Sequence, residues 1–293
     1  IKSYNLYDFF LIFLILWYNY MSKVGVYMIV NSKQLLKKAQ KEKYAVPHFN
    51  INNLEWCKYI LEECNDNKSP VIISVSEKTA DYMGGYKTVV DIIKDMHEYY
   101  KINIPVVIHL DHAKSIESCI NAINAGFTSI MYDGSVLGIN LNIENLKKVC
   151  EYAKKYDVSV EGEVGVINNN NVDVAYTSIG DCISICKNTS IDSLAPSIGN
   201  VHGIYKGIPK INLKLVEEIS NKTNIPLVLH GASFIPDETI EKLINIGVSK
   251  ININTELQDE WAKEVRNFLN INKYEIDPKK IISSGEKNIK NKL

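Results

Sequence analysis

A chain of 293 residues, 46% hydrophobic and 23% charged, has the composition of an ordinary globular protein and can bury a large core. Its formal net charge of −1 excludes the strongly basic surface of a typical nucleic-acid-binding protein. The six cysteines are scattered without zinc-ribbon or redox spacing. This pattern predicts reduced thiols in a cytoplasmic protein and excludes a disulfide-stabilised secreted domain.

The N-terminal segment contains a short, very apolar run from Phe9 to Trp17. The run is too short to span a bilayer comfortably, and no small-residue cleavage site follows it. We therefore predict that residues 1–27 form an extension outside the fold, with no membrane partner, and a membrane anchor is the alternative. The chain from Met28 onward has about the length of a (β/α)₈ barrel, roughly 250 residues.

After Met28, short segments rich in Val and Ile alternate with amphipathic segments. The predicted strands cover residues 44–49, 71–76, 105–110, 128–131, 158–164, 193–198, 225–230 and 250–254. Strands of this composition are typical of a parallel sheet that is buried on both faces. Eight of them with intervening helices predict a single α/β domain over residues 28–293, a (β/α)₈ TIM barrel. An open, doubly wound sheet is the alternative, but its usual Gly-rich turn is missing.

Histidines stand at the ends of the third, sixth and seventh predicted strands, namely His112, His202 and His230. The C-terminal ends of barrel strands meet at one face, where TIM-barrel active sites lie. Three His ligands with an open fourth position are typical of a catalytic zinc ion. Each histidine alone could instead be a buried residue bonded to a backbone carbonyl, but three equivalent positions favour the metal.

Asp111 directly precedes the first of these histidines. We predict that it transfers a proton during catalysis, and the alternative is that it orients a metal ligand. His109 lies two residues earlier, on the same face of the strand but deeper in the barrel, so we expect a structural role for it.

The loops after the sixth, seventh and eighth strands have the composition of an anion site. "GIYKG" places Lys206 between glycines, and "HGAS" and "NINT" offer backbone N–H groups and hydroxyls. The loops after strands seven and eight form the recurrent phosphate site of this fold. The sequence therefore predicts a phosphorylated ligand.

The motifs "HLDHAKS", "EGEVG", "GNVHGIYKG", "LVLHGAS" and "KININTELQ" occur in this order along the chain. Together they resemble the zinc-dependent class II fructose-bisphosphate aldolases and the closely similar tagatose-bisphosphate aldolases. "YAVPHFNINNLEW" and the segment after it resemble the first two barrel units of that family. The likeness extends from Met28 to about Ile282.

The resemblance implies an aldehyde-lyase of glycolysis and gluconeogenesis that cleaves a sugar bisphosphate, works as a homodimer or homotetramer, and binds a catalytic Zn²⁺ through the three histidines. Asp111 would exchange a proton with the C4 oxygen, and Asp133 and Glu163 would bind a second divalent metal. The residues implied to bind the substrate are Gly203, Lys206, Gly231, Ala232, Ser233, Asn252, Asn254 and Thr255, with Asn50 and Ser76 as secondary contacts.

The loop after the fifth strand departs from the family pattern. It reads "VGVINNNNVDVAY" and lacks the glutamate that moves the proton at C3 in similar enzymes. Asparagine cannot replace that glutamate, because its amide is neutral. Asp173 is the nearest carboxylate, and we predict that it is a substitute base.

Three alternatives to fructose 1,6-bisphosphate cleavage stay open. They are a tagatose-1,6-bisphosphate aldolase, a catalytically weakened protein that binds zinc and sugar phosphate, and a zinc hydrolase on the same fold. The phosphate loops argue against the hydrolase.

Overall fold

The structure is a computed structural model that describes residues 28–167, 175–205, 207 and 209–293. Parallel strands β1 to β8 pair in chain order and close into a barrel, so the predicted TIM barrel is confirmed. The strands are β1 (Val46–Asn50), β2 (Val71–Ser76), β3 (Val106–Ala113), β4 (Ser129–Tyr132), β5 (Ser159–Val164), β6 (Ser193–Pro196), β7 (Leu227–Leu229) and β8 (Val248–Ile253).

Helices connect the strands and surround the barrel, with a short 3₁₀ helix at Ser135–Leu137. The helices of the described residues are α1 (Lys33–Glu42), α2 (Leu54–Asp66), α3 (Glu77–Tyr82), α4 (Tyr86–Tyr99), α5 (Ile116–Ala125), α6 (Ile139–Lys154), α7 (Ile179–Asn188), α8 (Leu213–Thr223), α9 (Asp237–Asn245), α10 (Thr255–Ile271), α11 (Pro278–Ser283) and α12 (Glu286–Lys290).

Polar residues fix where several helices begin. The side chains of Asn53, Ser115 and Ser178 each accept a backbone N–H from the first turn of the helix that follows. Such caps satisfy donors that have no partner inside the helix. They hold the loops between the strand ends and the helices in place, and those loops carry the site.

The two faces of the strands have different surroundings. Outward residues such as Phe49, Ile73 and Ile108 belong to the main hydrophobic core, which also includes buried residues of the surrounding helices. Inside the barrel, Val46, Ile72 and Val107 pack with residues of α1 and form an apolar floor. Above this floor, buried polar and charged residues lie beside a small apolar cluster.

No helix within the described part of the chain is long and apolar enough to cross a membrane. The apolar run at Phe9 to Trp17 lies outside the described residues. The interpretation of residues 1–27 as an extension outside the fold therefore stays a prediction.

Candidate active site

Three histidines converge at the C-terminal end of the barrel. His112 lies on β3, His202 in the loop after β6, and His230 directly after β7. The ring centroid of His112 is 4.9 Å from that of His202 and 4.6 Å from that of His230, and the last two centroids are 5.8 Å apart. One ring nitrogen of each lies within 4.8 Å of the others. Three imidazoles at this spacing fit the donor set of one tetrahedral metal ion.

A bulge in β3 turns His112 toward this cluster. Regular alternation predicts that Asp111 and His112 point to opposite faces of the strand. Instead, the pairing with β4 shifts between Leu110 and Ala113, and His112 has a φ of 51°. A bulge re-aims side chains in this way, and positive φ in a non-glycine residue is a strain typical of functional sites. Asp111 and His112 consequently line the same cavity.

Asp111 is oriented by Asn50, whose Nδ2 donates to Asp111 Oδ2 at 3.0 Å. The other carboxylate oxygen accepts no hydrogen bond from the described residues. Burial alone would raise the pKa of Asp111, but the charge of His112, with smaller contributions from neighbouring histidines, outweighs burial and holds the pKa well below its usual range. Asp111 is therefore ionised at neutral pH and can accept a proton.

The three histidines differ in charge. Burial lowers the pKa of His202 to about 3, and it also lowers the pKa of His230. Burial opposes the charged form of His112 too, but Asp111, Asp133 and Glu163 outweigh it and raise the pKa of His112 to about 9. The metal-free cluster at pH 7 therefore contains two neutral imidazoles and one imidazolium.

Asp133 and Glu163 lie beside His112. His112 Nδ1 is 3.0 Å from Asp133 Oδ2 and 3.6 Å from Glu163 Oε2, and the three residues could themselves hold a cation. The ammonium of Lys114 also contacts Asp133. Burial, with the charge of Asp133, raises the pKa of Glu163 to about 8. The second predicted metal cluster is thus assembled, with one of its carboxylates already paired with a lysine.

A cavity of about 250 Å³ opens beside the histidines. Eight of the predicted substrate contacts line it, namely Asn50, Ser76, Gly203, Gly231, Ser233, Asn252, Asn254 and Thr255. Asn52, Thr79 and Gln258 also line it and were not predicted. Ala232 does not, because it is buried and its N–H donates to the carbonyl of Asn252. Lys206 and Asp173 lie outside the described residues.

One end of the cavity is suited to an anion. Helix α10 begins at Thr255, and the hydroxyl of Ser233 accepts the N–H of Glu256 at 3.2 Å, which ties the loop after β7 to the start of this helix. A helix N-terminus attracts negative charge through its unpaired N–H groups and its dipole. This is the place where the sequence predicts a phosphate.

Gly231 brings two of the site loops together. A Cβ at this position would lie 2.0 Å from the carbonyl oxygen of Val201, and its φ is 63°. The hydroxyl of Tyr205 also donates to the carbonyl of Gly231 at 3.0 Å. Only glycine permits this close approach, which sets the distance between His202 and His230.

Sequence reasoning missed a buried ion pair in the barrel interior. The ammonium of Lys250 lies 2.6 Å from Glu161 Oε2, and Glu161 Oε1 is 2.8 Å from His230 Nε2. The signal was present, because Lys250 precedes Asn252 by two residues and Glu161 precedes Glu163 by two. Period-two spacing places each on the same face as its predicted site residue.

The comparisons with known proteins agree with this geometry. The family model described as fructose-bisphosphate aldolase class-II matches residues 30–293. The chain belongs to this family. As a class II aldolase it is an aldehyde-lyase, and the family implies sugar phosphate substrates and a metal dependence.

Relatives of this class II aldolase carry two kinds of name. A fructose-bisphosphate aldolase of Geobacillus stearothermophilus is 47% identical over 267 residues, 89% of this chain and 93% of the relative. A 6-phospho-5-dehydro-2-deoxy-D-gluconate aldolase of Bacillus subtilis is 45% identical over 260 residues, 87% of this chain and 90% of the relative. The crystal structure of the YdjI aldolase from Escherichia coli K12 superposes with a TM-score of 0.79 at 29% identity, covering 90% of this chain and 94% of that one.

Proposed function

We propose that this class II aldolase cleaves fructose 1,6-bisphosphate reversibly to dihydroxyacetone phosphate and glyceraldehyde 3-phosphate, with Zn²⁺ as its metal. The observation that carries the proposal is one cavity with the histidine cluster and Asp111 in its wall and the N-terminus of α10 beside them. The 47% identical relative from Geobacillus stearothermophilus supports the choice of sugar.

The side chains of the cavity supply binding and proton transfer. When bound to His112, His202 and His230, zinc would act as a Lewis acid toward the oxygens of the substrate. Asp111 takes the proton of the C4 hydroxyl while a carbonyl forms at C4 and the C3–C4 bond breaks, and the electron pair of that bond passes to the dihydroxyacetone phosphate half as its enediolate. Asp111 returns the proton to the C4 oxygen in condensation. Asn50 holds the carboxylate in position through its 3.0 Å hydrogen bond.

The anion end binds the phosphate of the dihydroxyacetone phosphate half. Ser233, Asn254 and Thr255 surround the start of α10, and Gly203 and Gly231 allow backbone groups to approach. We propose Lys206 as a further contact and Asp133 with Glu163 as a site for a second divalent cation. These assignments follow from the family resemblance together with the placement of Asp133 and Glu163 beside His112.

A second candidate substrate is 6-phospho-5-dehydro-2-deoxy-D-gluconate, which carries a single phosphate. Relatives named for this substrate are 45% identical to the chain. The described residues that line the cavity include no lysine or arginine that could pair with a second phosphate. Lys279, in "DPKK", stands where many class II aldolases place an arginine for the second phosphate. It does not line the cavity either, and its exposed ammonium pairs with Asp277 at 2.9 Å. Tagatose 1,6-bisphosphate is the third sugar to compare.

The substrate assignment is tested by measuring the release of dihydroxyacetone phosphate from each of the three sugars. We expect the highest kcat/KM with fructose 1,6-bisphosphate, loss of activity with a chelator, and recovery with zinc. His202→Ala serves as the matched inactive variant. A tenfold preference for another sugar would reassign the substrate, and no cleavage of any sugar would favour a weakened, binding-only protein.

Proton transfer at C3 needs a second group, and we propose Asp173 for this role. Exchange of the C3 proton of dihydroxyacetone phosphate in deuterated water isolates the step from carbon–carbon cleavage. We expect the parent protein to catalyse this proton exchange and Asp173→Asn to have lost it. Unchanged exchange in that variant excludes Asp173, and no exchange in the parent supports the binding-only alternative.

We also propose a homodimer or homotetramer in the cytoplasm, as the resemblance to class II aldolases implies. Light scattering of the purified protein measures the mass. A monomer at micromolar concentration contradicts this part of the proposal.

A further inference from the structure

Lys250 is a cation in the interior of the barrel. It lies on β8 with only 1% of its side chain exposed, and its ammonium donates to Glu161 Oε2 at 2.6 Å and to His109 Nε2 at 3.4 Å. His109 in turn contacts Ser129 Oγ through Nδ1 at 2.8 Å. A buried ammonium is costly unless it is paired. Lys250 does not line the cavity, so direct substrate contact does not explain it.

Glu161 connects this lysine to the histidine cluster. Its side chain is 2% exposed, with Oε2 toward Lys250 and Oε1 at 2.8 Å from His230 Nε2. The ammonium of Lys250, 2.6 Å from Oε2, pairs with Glu161 as a carboxylate. An ionised carboxylate can only accept hydrogen bonds. The His230 nitrogen that faces it therefore carries the proton.

We propose that Lys250 and Glu161 are positioning residues for metal binding, because together they fix the ring and the tautomer of His230 and leave its Nδ1 lone pair for the metal. The amide nitrogen of Asn252, a residue of the cavity wall, lies 3.3 Å from Nδ1 and 3.4 Å from Nε2 of His230, so the ring is held between Glu161 and the cavity wall. A carboxylate behind a histidine ligand orients the ring and raises its basicity. The inference rests on the proposed zinc site and extends it to two residues outside the cavity.

Stability alone does not account for the pair. Replacing a buried ion pair with apolar groups of similar volume is often neutral or stabilising. The interior of this barrel holds such groups elsewhere, as Met131, Ala195 and Val228 pack together inside it. The alignment of Lys250, Glu161 and His230 in one chain of contacts instead points to the metal.

The test measures zinc affinity by competition with a chromogenic chelator in Lys250→Met, Glu161→Gln and the double variant. We expect each variant to bind Zn²⁺ about 10- to 100-fold more weakly than the parent, as losses of such outer contacts typically do. The gain in Tm on adding zinc should shrink accordingly. The double variant leaves no unpaired buried charge, so it tests the proposal even if a single variant fails to fold.

Lys290→Met is the matched control. It also removes an ammonium from two carboxylates, Glu62 and Glu286, but its residues do not line the cavity. We expect unchanged zinc affinity in this control. If the variants at positions 161 and 250 are less stable than the parent without metal, but their zinc affinity is within twofold of the parent's, the inference is wrong. If His202→Ala contains as much zinc as the parent protein, the proposed metal site is wrong, and the positioning role is wrong with it.

Discussion

His112 is the residue of the cluster on which charge and backbone geometry act together. Its positive φ brings it beside Asp111 on the cavity side, and its Nδ1 faces Asp133 and Glu163. These carboxylates raise the pKa of His112 to about 9, whereas burial lowers the pKa of His202 to about 3. A histidine must be neutral to bind a metal ion. Metal binding at neutral pH therefore has to displace a proton from His112.

We predict that zinc binding at pH 7 releases about one proton per metal from His112, because this pH lies below the pKa of about 9. Isothermal titration in two buffers of different ionisation enthalpy measures the number of protons released. Asp133→Asn removes one of the carboxylates that raise the pKa of His112, so release should decrease in that variant. Equal release in the parent and the variant would assign the proton to another group.

The carboxylate of Asp111 provides a separate prediction. We expect Asp111→Asn to keep zinc while turnover falls by about 10²- to 10⁴-fold, the usual contribution of a positioned acid–base group. The asparagine oxygen can still accept the hydrogen bond from Asn50, so the local geometry is preserved. Turnover and zinc content are measured on the same preparation. Loss of zinc with unchanged turnover per bound metal would show that Asp111 orients a ligand instead.

Among the elements, the strands were the most predictable and the bulge the least. Val and Ile mark buried parallel strands, and the eight predicted segments each coincide with an observed strand to within three residues at either end. The bulge at His112 breaks the period-two alternation, and alternation was the basis for placing side chains. A one-residue irregularity of this kind has no signature in composition.

The candidate site could be predicted in its outer part only. The histidines and the polar loops stand at strand ends, where this fold places its chemistry. The contacts of Lys250 and Glu161 depend on how β5 and β8 face each other across the barrel, 89 residues apart in sequence. Asn52, Thr79 and Gln258 reach the cavity from the turn after β1 and from α3 and α10. Such contacts follow from barrel closure and not from local pattern.

The close approach of the loops after β6 and β7 at Gly231 leads to a prediction about stability. Gly231→Ala should destabilise the metal-free protein by about 3 kcal/mol, from positive φ and from overlap with the backbone of Val201. Gly203→Ala is the control, because its φ is 91° but nothing lies within 4 Å of its added Cβ. Backbone strain alone should cost it about 1 kcal/mol. Denaturant unfolding measures both, and equal losses would show that the contact with Val201 is unimportant.

In the molecule as a whole, the barrel interior is apolar at its floor and contains buried polar and charged residues above it. His48 lies above the floor, fully buried, and its Nε2 is 3.9 Å from Asp111 Oδ2. Burial and the positive charge of Lys250 hold the pKa of His48 well below its usual value, although Asp111 opposes them. His109 packs edge-on against it, with ring centroids 5.4 Å apart. These two buried histidines therefore resist protonation in the folded protein.

This resistance predicts how stability depends on pH. The pKa of His48 is lower in the folded state than its unfolded value of 6.5. Its contribution to the free energy of unfolding is therefore fully present above pH 6.5 and is lost as pH falls. Below pH 6.5 the unfolded chain binds a proton that the folded chain does not. Each such proton makes the free energy of unfolding fall by about 1.4 kcal/mol per pH unit.

His48→Gln removes this titration. Denaturant unfolding of metal-free protein between pH 6.5 and 5 should give a shallower slope for the variant than for the parent, by up to the contribution of one proton. His109 and the carboxylates of the interior titrate in both proteins, so they cancel in the comparison. Parallel slopes would mean that His48 is protonated in the folded state as well.

The bulge in β3 makes the proposed activity sensitive to the loss of a single codon from the gene. One additional residue between Leu110 and Ala113 places Asp111 and His112 on the same side of the strand. Loss of a single codon there would restore regular alternation, so that one of the two side chains would leave the cavity. In a gene for this scaffold, an in-frame deletion of three bases at this point should therefore abolish catalysis.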